Sequence, residues 1–312
     1  MKPALSVIFF TVMSGAGYGL WCLLGIALAA GAYPLAGTGV LVPLGFAFAL
    51  VTAGLLASTM HLGRPERAWR ALSQWRSSWL SREGIASLVT YLPMLAVAGF
   101  AYTGRAGPGL RIGGALLALG ALTTIFCTAN IYRSLKTIAA WRTRQVLPLY
   151  FMFALLSGGL WLWAWLALTT GATTRLAFPL ALLGLAIIAA VIKVDHWRCV
   201  DALPVNTAGH ATGLEMLGRV RAFEGPVTEE SYLTREMAFV LARKHGARLR
   251  RIALTLFGLA PALGIAVALA SGEAWLAPVA ALAALAGLFV ERWLFFAEAR
   301  HAVAAFFPHA QA

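Results

Sequence analysis

The sequence predicts an all-α, polytopic membrane protein with eight transmembrane helices, and three observations carry that reading. Of the 312 residues, 60% are hydrophobic and only 12% are charged, about half the roughly 25% charged fraction of a soluble globular domain. The mean hydropathy is +0.78. The apolar residues are also gathered into runs of about 20, the number of helical residues that crosses the hydrocarbon of a bilayer. Inside a bilayer the backbone must satisfy its own polar groups, and a run of that length does so as a helix.

Taken in order, the predicted spans are residues 5–31, 40–62, 84–103, 112–135, 147–170, 176–197, 250–271 and 275–297. The breaks suit turns: Pro34 and Gly37 lie between Gly31 and Gly39, 103–111 is rich in Gly and Pro, and 171–175 is short and polar. Met1-Lys2-Pro3 leads straight into the first run, which is too long for a signal-peptide core and lacks a cleavage site. Three segments follow. Residues 1–198 hold six spans, 199–248 form a loop outside the membrane, and 249–312 hold two more spans and a tail. In the loop, Thr228 is placed to cap a helix, with Glu229 and Glu230 in its first turn and Arg243, Lys244 and Arg248 toward its end. That charge order suits a helix dipole. The segment is too short for a core of its own. It reads either as a surface helix on the bilayer or as a docking arm for a soluble subunit.

An even number of spans returns the chain to its starting side, and charge says which side that is. Lys2, Arg64, Arg67, Arg70, Arg76, Arg82, Arg133, Lys136, Arg142, Arg144 and the basic residues of the long loop and tail fall on one side. Only Arg105, Arg111 and Arg175 fall on the other. The positive-inside rule makes both termini and the segment from His61 to Glu83 cytoplasmic. The net charge of +13 then points to anionic lipid or an acidic partner subunit, and not to nucleic acid. Cys22, Cys127 and Cys199 lie far apart, with no Cys-x-x-Cys. This speaks against an iron–sulfur cluster held by the chain itself and against a disulfide framework.

Ionisable groups at spanning depth are costly and hence candidates for function. The centres of these spans hold almost none. No column of carboxylates and lysines crosses the bilayer, which speaks against a pump or an ion-coupled transporter; a cofactor-free scaffold is the other non-redox reading. The polar groups lie near the cytoplasmic ends. His61 closes span two and Glu83 opens span three, flanked by Arg64 and Arg82 and by Trp69, Trp75 and Trp79. Singly, the histidine and tryptophans can be interfacial anchors and the carboxylate can answer a helix N-terminus. Together they offer what a quinone needs. Two-electron quinone chemistry moves two protons, and an imidazole that titrates near neutral pH with a carboxylate beside it can move them. Tyr132 and Arg133 close span four, where Tyr132 either bonds a quinone carbonyl or anchors the helix. Lys193, Asp195 and His196 end span six, and Glu291 and Arg292 lie near the end of span eight, where pairing with neighbouring helices is the expectation. His61, His196 and His301 on one side raise haem b ligation as a minority reading.

The stretches Ser58-Thr-Met-His-Leu-Gly-Arg-Pro-Glu-Arg-Ala68, Trp79-Leu-Ser-Arg-Glu83, Ile131-Tyr-Arg-Ser-Leu-Lys-Thr-Ile-Ala-Ala-Trp141 and the final span with Glu291 resemble the DmsC/NrfD-like family. These are membrane-anchor subunits of complex iron–sulfur molybdoenzymes such as dimethyl sulfoxide reductase. The likeness covers nearly the whole chain. It implies an eight-helix anchor that binds ubiquinone or menaquinone and carries no redox metal of its own. Partners would be a four-cluster ferredoxin-like iron–sulfur subunit and a molybdopterin catalytic subunit, and the positions of His61 and Glu83 would serve the quinone. Segment 199–245 is longer than the matching loop of the dimethyl sulfoxide reductase anchors, and the charge bias places His61 on the opposite side of the membrane. The opening Met1-Lys-Pro-Ala-Leu-Ser-Val-Ile-Phe-Phe10 and the arm from Tyr232 to His245 look more like the SoeC branch, the anchors of cytoplasm-facing sulfite:quinone oxidoreductases. That branch implies electrons running from sulfite to quinone. The reverse reading is a quinol-oxidising anchor of a dimethyl sulfoxide or related reductase.

Overall fold

A computed structural model describes residues 4–60, 62–171, 176–204, 207–218, 220 and 241–306, apart from the side chains of 241–244 and 304. His61 lies outside the described residues, as do Thr228, Glu229 and Glu230 and the segment 232–240 used in the resemblance. Eight helices are long and apolar enough to cross a membrane. They are α1 (Leu5–Ala29), α2 (Thr38–Thr59), α3 (Trp79–Tyr102), α4 (Pro108–Arg133), α5 (Val146–Thr170), α6 (Ala177–Asp201), α7 (His245–Ser271) and α8 (Leu276–Ala297). The protein is a multi-pass, all-helical membrane protein.

Helix α1 is the hub: it packs on α2, α4, α5 and α8. In its most apolar stretch 72% of residues are buried, against 28% in α3 and in α6, so α1 is shielded and those two face lipid. Without a hydrophobic driving force between helices in lipid, close approach depends on small residues. Gly19 of α1 and Gly158 of α5 show this. A Cβ on Gly19 would overlap the Ala154 carbonyl, and one on Gly158 would overlap the Leu20 backbone nitrogen. The two backbones touch at this crossing.

Two departures from a regular bundle matter. In α7 a π turn spans Thr255–Leu259, where the Ala260 N–H bonds back to the Thr255 carbonyl. Pro261 explains it: with no N–H to give to Phe257, the helix widens by one residue just before it. The other departure lies between α2 and α3, where Pro65–Gln74 forms a 3-10 helix with every described side chain at least partly exposed. Helix α3 then starts at Trp79, a turn earlier than the span predicted from residue 84. Ser78 caps it, its Oγ accepting the Ser81 N–H at 3.5 Å. Likewise α6 runs on to Asp201, a turn beyond residue 197.

Candidate functional site

Because α3 begins at Trp79, Glu83 sits in its second turn and not at its mouth. Buried residues recur on this helix at Glu83, Ser87, Thr90, Met94 and Val97, the three- and four-residue spacing of a single buried stripe. That stripe packs on α4. Glu83 is therefore carried into the bundle, with only 4% of its surface exposed. The Ser87 hydroxyl is spent on the Glu83 backbone carbonyl at 2.8 Å, and the Thr128 hydroxyl of α4 on the Thr124 carbonyl at 3.0 Å. Glu83 Oε1 has no hydrogen-bond partner among the described residues. A buried carboxyl oxygen without a partner costs several times what an exposed one does, so the arrangement suits a group that supplies the missing bond.

Arg82 holds the turn that follows the 3-10 segment against this helix. Its Nε donates to the Trp75 carbonyl at 2.8 Å and its Nη2 to the Arg76 carbonyl at 2.7 Å, while its guanidinium lies 4.3 Å from the centre of the Trp79 ring. Ser81 Oγ donates to the Ala71 carbonyl. Trp79 in turn meets Phe126 edge-on at 5.7 Å. The result is an aromatic rim tied by Arg82, one helical turn before the buried Glu83 on the same helix. Arg64 and Arg133 lie at the surface, exposed.

Tyr132 is somewhere else in character. It is buried and stacked on Tyr150 at 5.8 Å, and meets Trp141, Phe295 and Phe296 edge-on. This aromatic cluster joins α4, α5 and α8 and is tied by the Trp141 Nε1–H donating to the Phe295 carbonyl at 3.0 Å. Of the predicted residues, the structure thus groups Arg82 with Glu83, sets Tyr132 in a neighbouring aromatic core, and leaves Arg64 and Arg133 outside.

Beside that core is a buried ionic cluster. Glu291 Oε1 lies 2.5 Å from Lys193 Nζ of α6, and Glu291 Oε2 is 2.5 Å from Arg292 Nε. The Arg292 guanidinium lies 4.5 Å over the Tyr150 ring and 4.7 Å over Phe295, and Lys193 Nζ is 5.0 Å from the Trp197 ring. The expected pairing between helices is present, with two cations sharing one carboxylate. His196 Nδ1 shares a hydrogen bond with Thr143 Oγ1 at 2.9 Å, and Gln145 Nε2 donates to Asp195 at 2.5 Å. Nearer the surface, Arg250 is bidentate to Asp201 at 2.6 and 2.8 Å and donates to Glu298 at 2.8 Å. Burial holds the Glu298 carboxyl above the usual carboxylate range despite the pull of Arg250. The sequence signal for the inner cluster was the presence of charges inside otherwise apolar runs; which helices would meet was not visible in it.

A match to the DMSO reductase anchor subunit (DmsC) family extends over residues 1–297. The chain belongs to the DmsC family. It is similar to a subunit of the sulfite dehydrogenase of Allochromatium vinosum, with 36% identity over 96% of this chain and 97% of that protein. As a DmsC-type anchor it is the membrane part of an oxidoreductase complex.

Proposed function

We propose that this DmsC-type anchor passes electrons from sulfite oxidation, carried out by partner subunits, into membrane quinone. The reading rests on the family, on the sulfite dehydrogenase subunit it resembles, and on one observation above the rest. Glu83 is a buried carboxyl with an oxygen lacking a hydrogen-bond partner among the described residues, one turn into the helix that Trp79 opens. The fit to a quinone head group is chemical. A quinone brings hydrogen-bonding oxygens on an apolar ring, and here an unsatisfied carboxyl lies one helical turn from the Trp79–Phe126 pair. On this reading His61 and Glu83 supply the two protons that quinone takes up with two electrons. Arg64, Arg82, Tyr132 and Arg133 shape and charge the surroundings, Arg82 by fixing the rim and Tyr132 by closing the neighbouring wall.

The partners in this proposal are a four-cluster ferredoxin-like iron–sulfur subunit and a molybdopterin catalytic subunit, docked on the face that carries the arginine-rich segments. Residues 199–248 serve as the arm that receives them. The basic loops orient the chain with that face and both termini in the cytoplasm of a bacterial inner membrane. The family's own description, a DMSO reductase anchor, favours a second direction in which the same site oxidises quinol.

In the assembled complex, His61→Ala and Glu83→Gln should each lower sulfite-driven quinone reduction by about a hundredfold or more. Sulfite oxidation with a soluble artificial acceptor should continue at the unmodified rate. Quinone reduction that survives both substitutions would remove the site from this pair.

A further inference from the structure

Between α1, α4, α5 and α8 lies a cavity of about 30 Å³. A water needs roughly 10–15 Å³ by this measure and two to four polar partners, so the space holds about two waters and is too small for a quinone ring. Its walls are polar in a particular way. Tyr18 Oη, Tyr150 Oη and Arg292 Nη1 belong to side chains more than nine-tenths buried, all three residues line the cavity, and none of these atoms has a hydrogen-bond partner of ordinary geometry. Four further lining hydroxyls have already used their proton. Thr11 donates to Val7, Ser14 to Phe10, Thr128 to Thr124 and Ser157 to Phe153, each to a backbone carbonyl one turn earlier. The cavity therefore presents three donors without a well-formed bond and four hydroxyl oxygens able to accept. Water, which both donates and accepts, satisfies such a set, whereas an anion or a cation would satisfy only one half of it.

Two parts of the lining differ in their neighbours. One is Arg292, part of the ionic cluster with Glu291 and Lys193. The other is Thr128 and Tyr18, next to Glu83, which lies within electrostatic reach of Tyr18 and has Thr128 as a hydroxyl neighbour. We propose that the cavity holds a bound water cluster that carries protons between the Lys193–Glu291–Arg292 cluster and the Glu83 carboxyl. Tyr18 and Thr128 are positioning residues of that path, and Tyr150 orients Arg292, whose guanidinium lies over its ring. The proposal rests on the reading of Glu83 as a proton donor to quinone, and adds a route that reaches the carboxyl from inside the bundle.

Gly15 provides a clean test, because it lines the cavity and a Cβ there would meet nothing within 4 Å. Gly15→Val fills space without removing any polar group, and Tyr18→Phe removes one hydroxyl while keeping the ring. Both are made in the intact complex and compared with Glu83→Gln. The expected result for each is a fall of about tenfold or more in quinone-linked turnover, with an increased solvent deuterium isotope effect. The quinone KM and the activity with a soluble acceptor should stay unchanged. A map of the complex fine enough to show ordered water should place water within hydrogen-bond distance of Tyr18 Oη and Arg292 Nη1, and Gly15→Val should displace it. An empty cavity in that map, or full quinone turnover in both cavity variants, overturns the path. If both variants are fully active and Glu83→Gln is inactive, the path alone fails. If Glu83→Gln is also fully active, the reading of the quinone site fails with it.

Discussion

Glu291 is the residue whose removal the membrane would feel most. It is fully buried and answers both Lys193 and Arg292, so Glu291→Ala leaves two like charges facing each other in a low-dielectric core. Removing one side of such a buried pair costs about 3–5 kcal/mol. The expected outcome is a matching loss in denaturant or thermal unfolding of the purified complex, larger than for any single surface arginine of the Pro65–Gln74 segment. His301 offers a second prediction at this scale, just beyond the last span. Its Nδ1 accepts the Val303 N–H at 3.1 Å and its backbone bridges to Ile138. Burial lowers its pKa below the ordinary histidine value, so the folded tail favours the neutral ring. The stabilisation is present above about pH 6.5, the unfolded value, and is lost as pH falls through the folded value. Limited proteolysis of the tail should accelerate as the pH is lowered from about 7.5 to about 5.5, across the unfolded value. His301→Gln should flatten that pH dependence, and an unchanged profile would show that another group controls the tail.

At the scale of elements, the crossing of α1 and α5 is the tightest point of the bundle. Gly19→Ala pushes a methyl group into the Ala154 carbonyl, and neither backbone has a flexible side chain to give way. The expected outcome is a marked drop in folded, membrane-inserted protein and in its unfolding temperature. Gly45→Ala, where a Cβ meets nothing within 4 Å, should be tolerated, and equal behaviour of the two would show that the crossing does not limit stability. The eight spans were legible in the sequence because length and hydropathy alone specify them. The start of α3 was not, because Trp79-Leu-Ser-Arg-Glu83 is too polar to join an apolar run, and only the Ser78 cap reveals the helix. That one turn decided the setting of Glu83: a residue expected at the mouth of a span is instead on its buried stripe. The joining of Lys193 to Glu291 was hidden for another reason. Neighbour relations among helices depend on small-residue faces scattered along the chain, and many pairings of eight apolar helices satisfy hydropathy equally well. The π turn before Pro261 was hidden too, since a proline forecasts a disturbance in a helix but not its form.

For the whole molecule, the sidedness of the charges makes the orientation testable. A reporter active only in the cytoplasm, fused after the last residue, should be active, and one that works only outside the membrane should be silent. The reverse pattern would turn the chain over and favour the quinol-oxidising direction. The eight helices also impose an order on biogenesis, through the position of α1. It leaves the ribosome before its partners α4, α5 and α8, and α8 is the last of these to emerge. Its neighbour α2 is the early companion, and the glycine face that later receives α5 must wait open in the membrane until that helix arrives. A chain interrupted before α8 would leave the Lys193 ammonium of α6 without the carboxylate it pairs with, an ill-tolerated charge in lipid. Quality control in the membrane therefore has a simple mark by which to tell a finished anchor from an unfinished one.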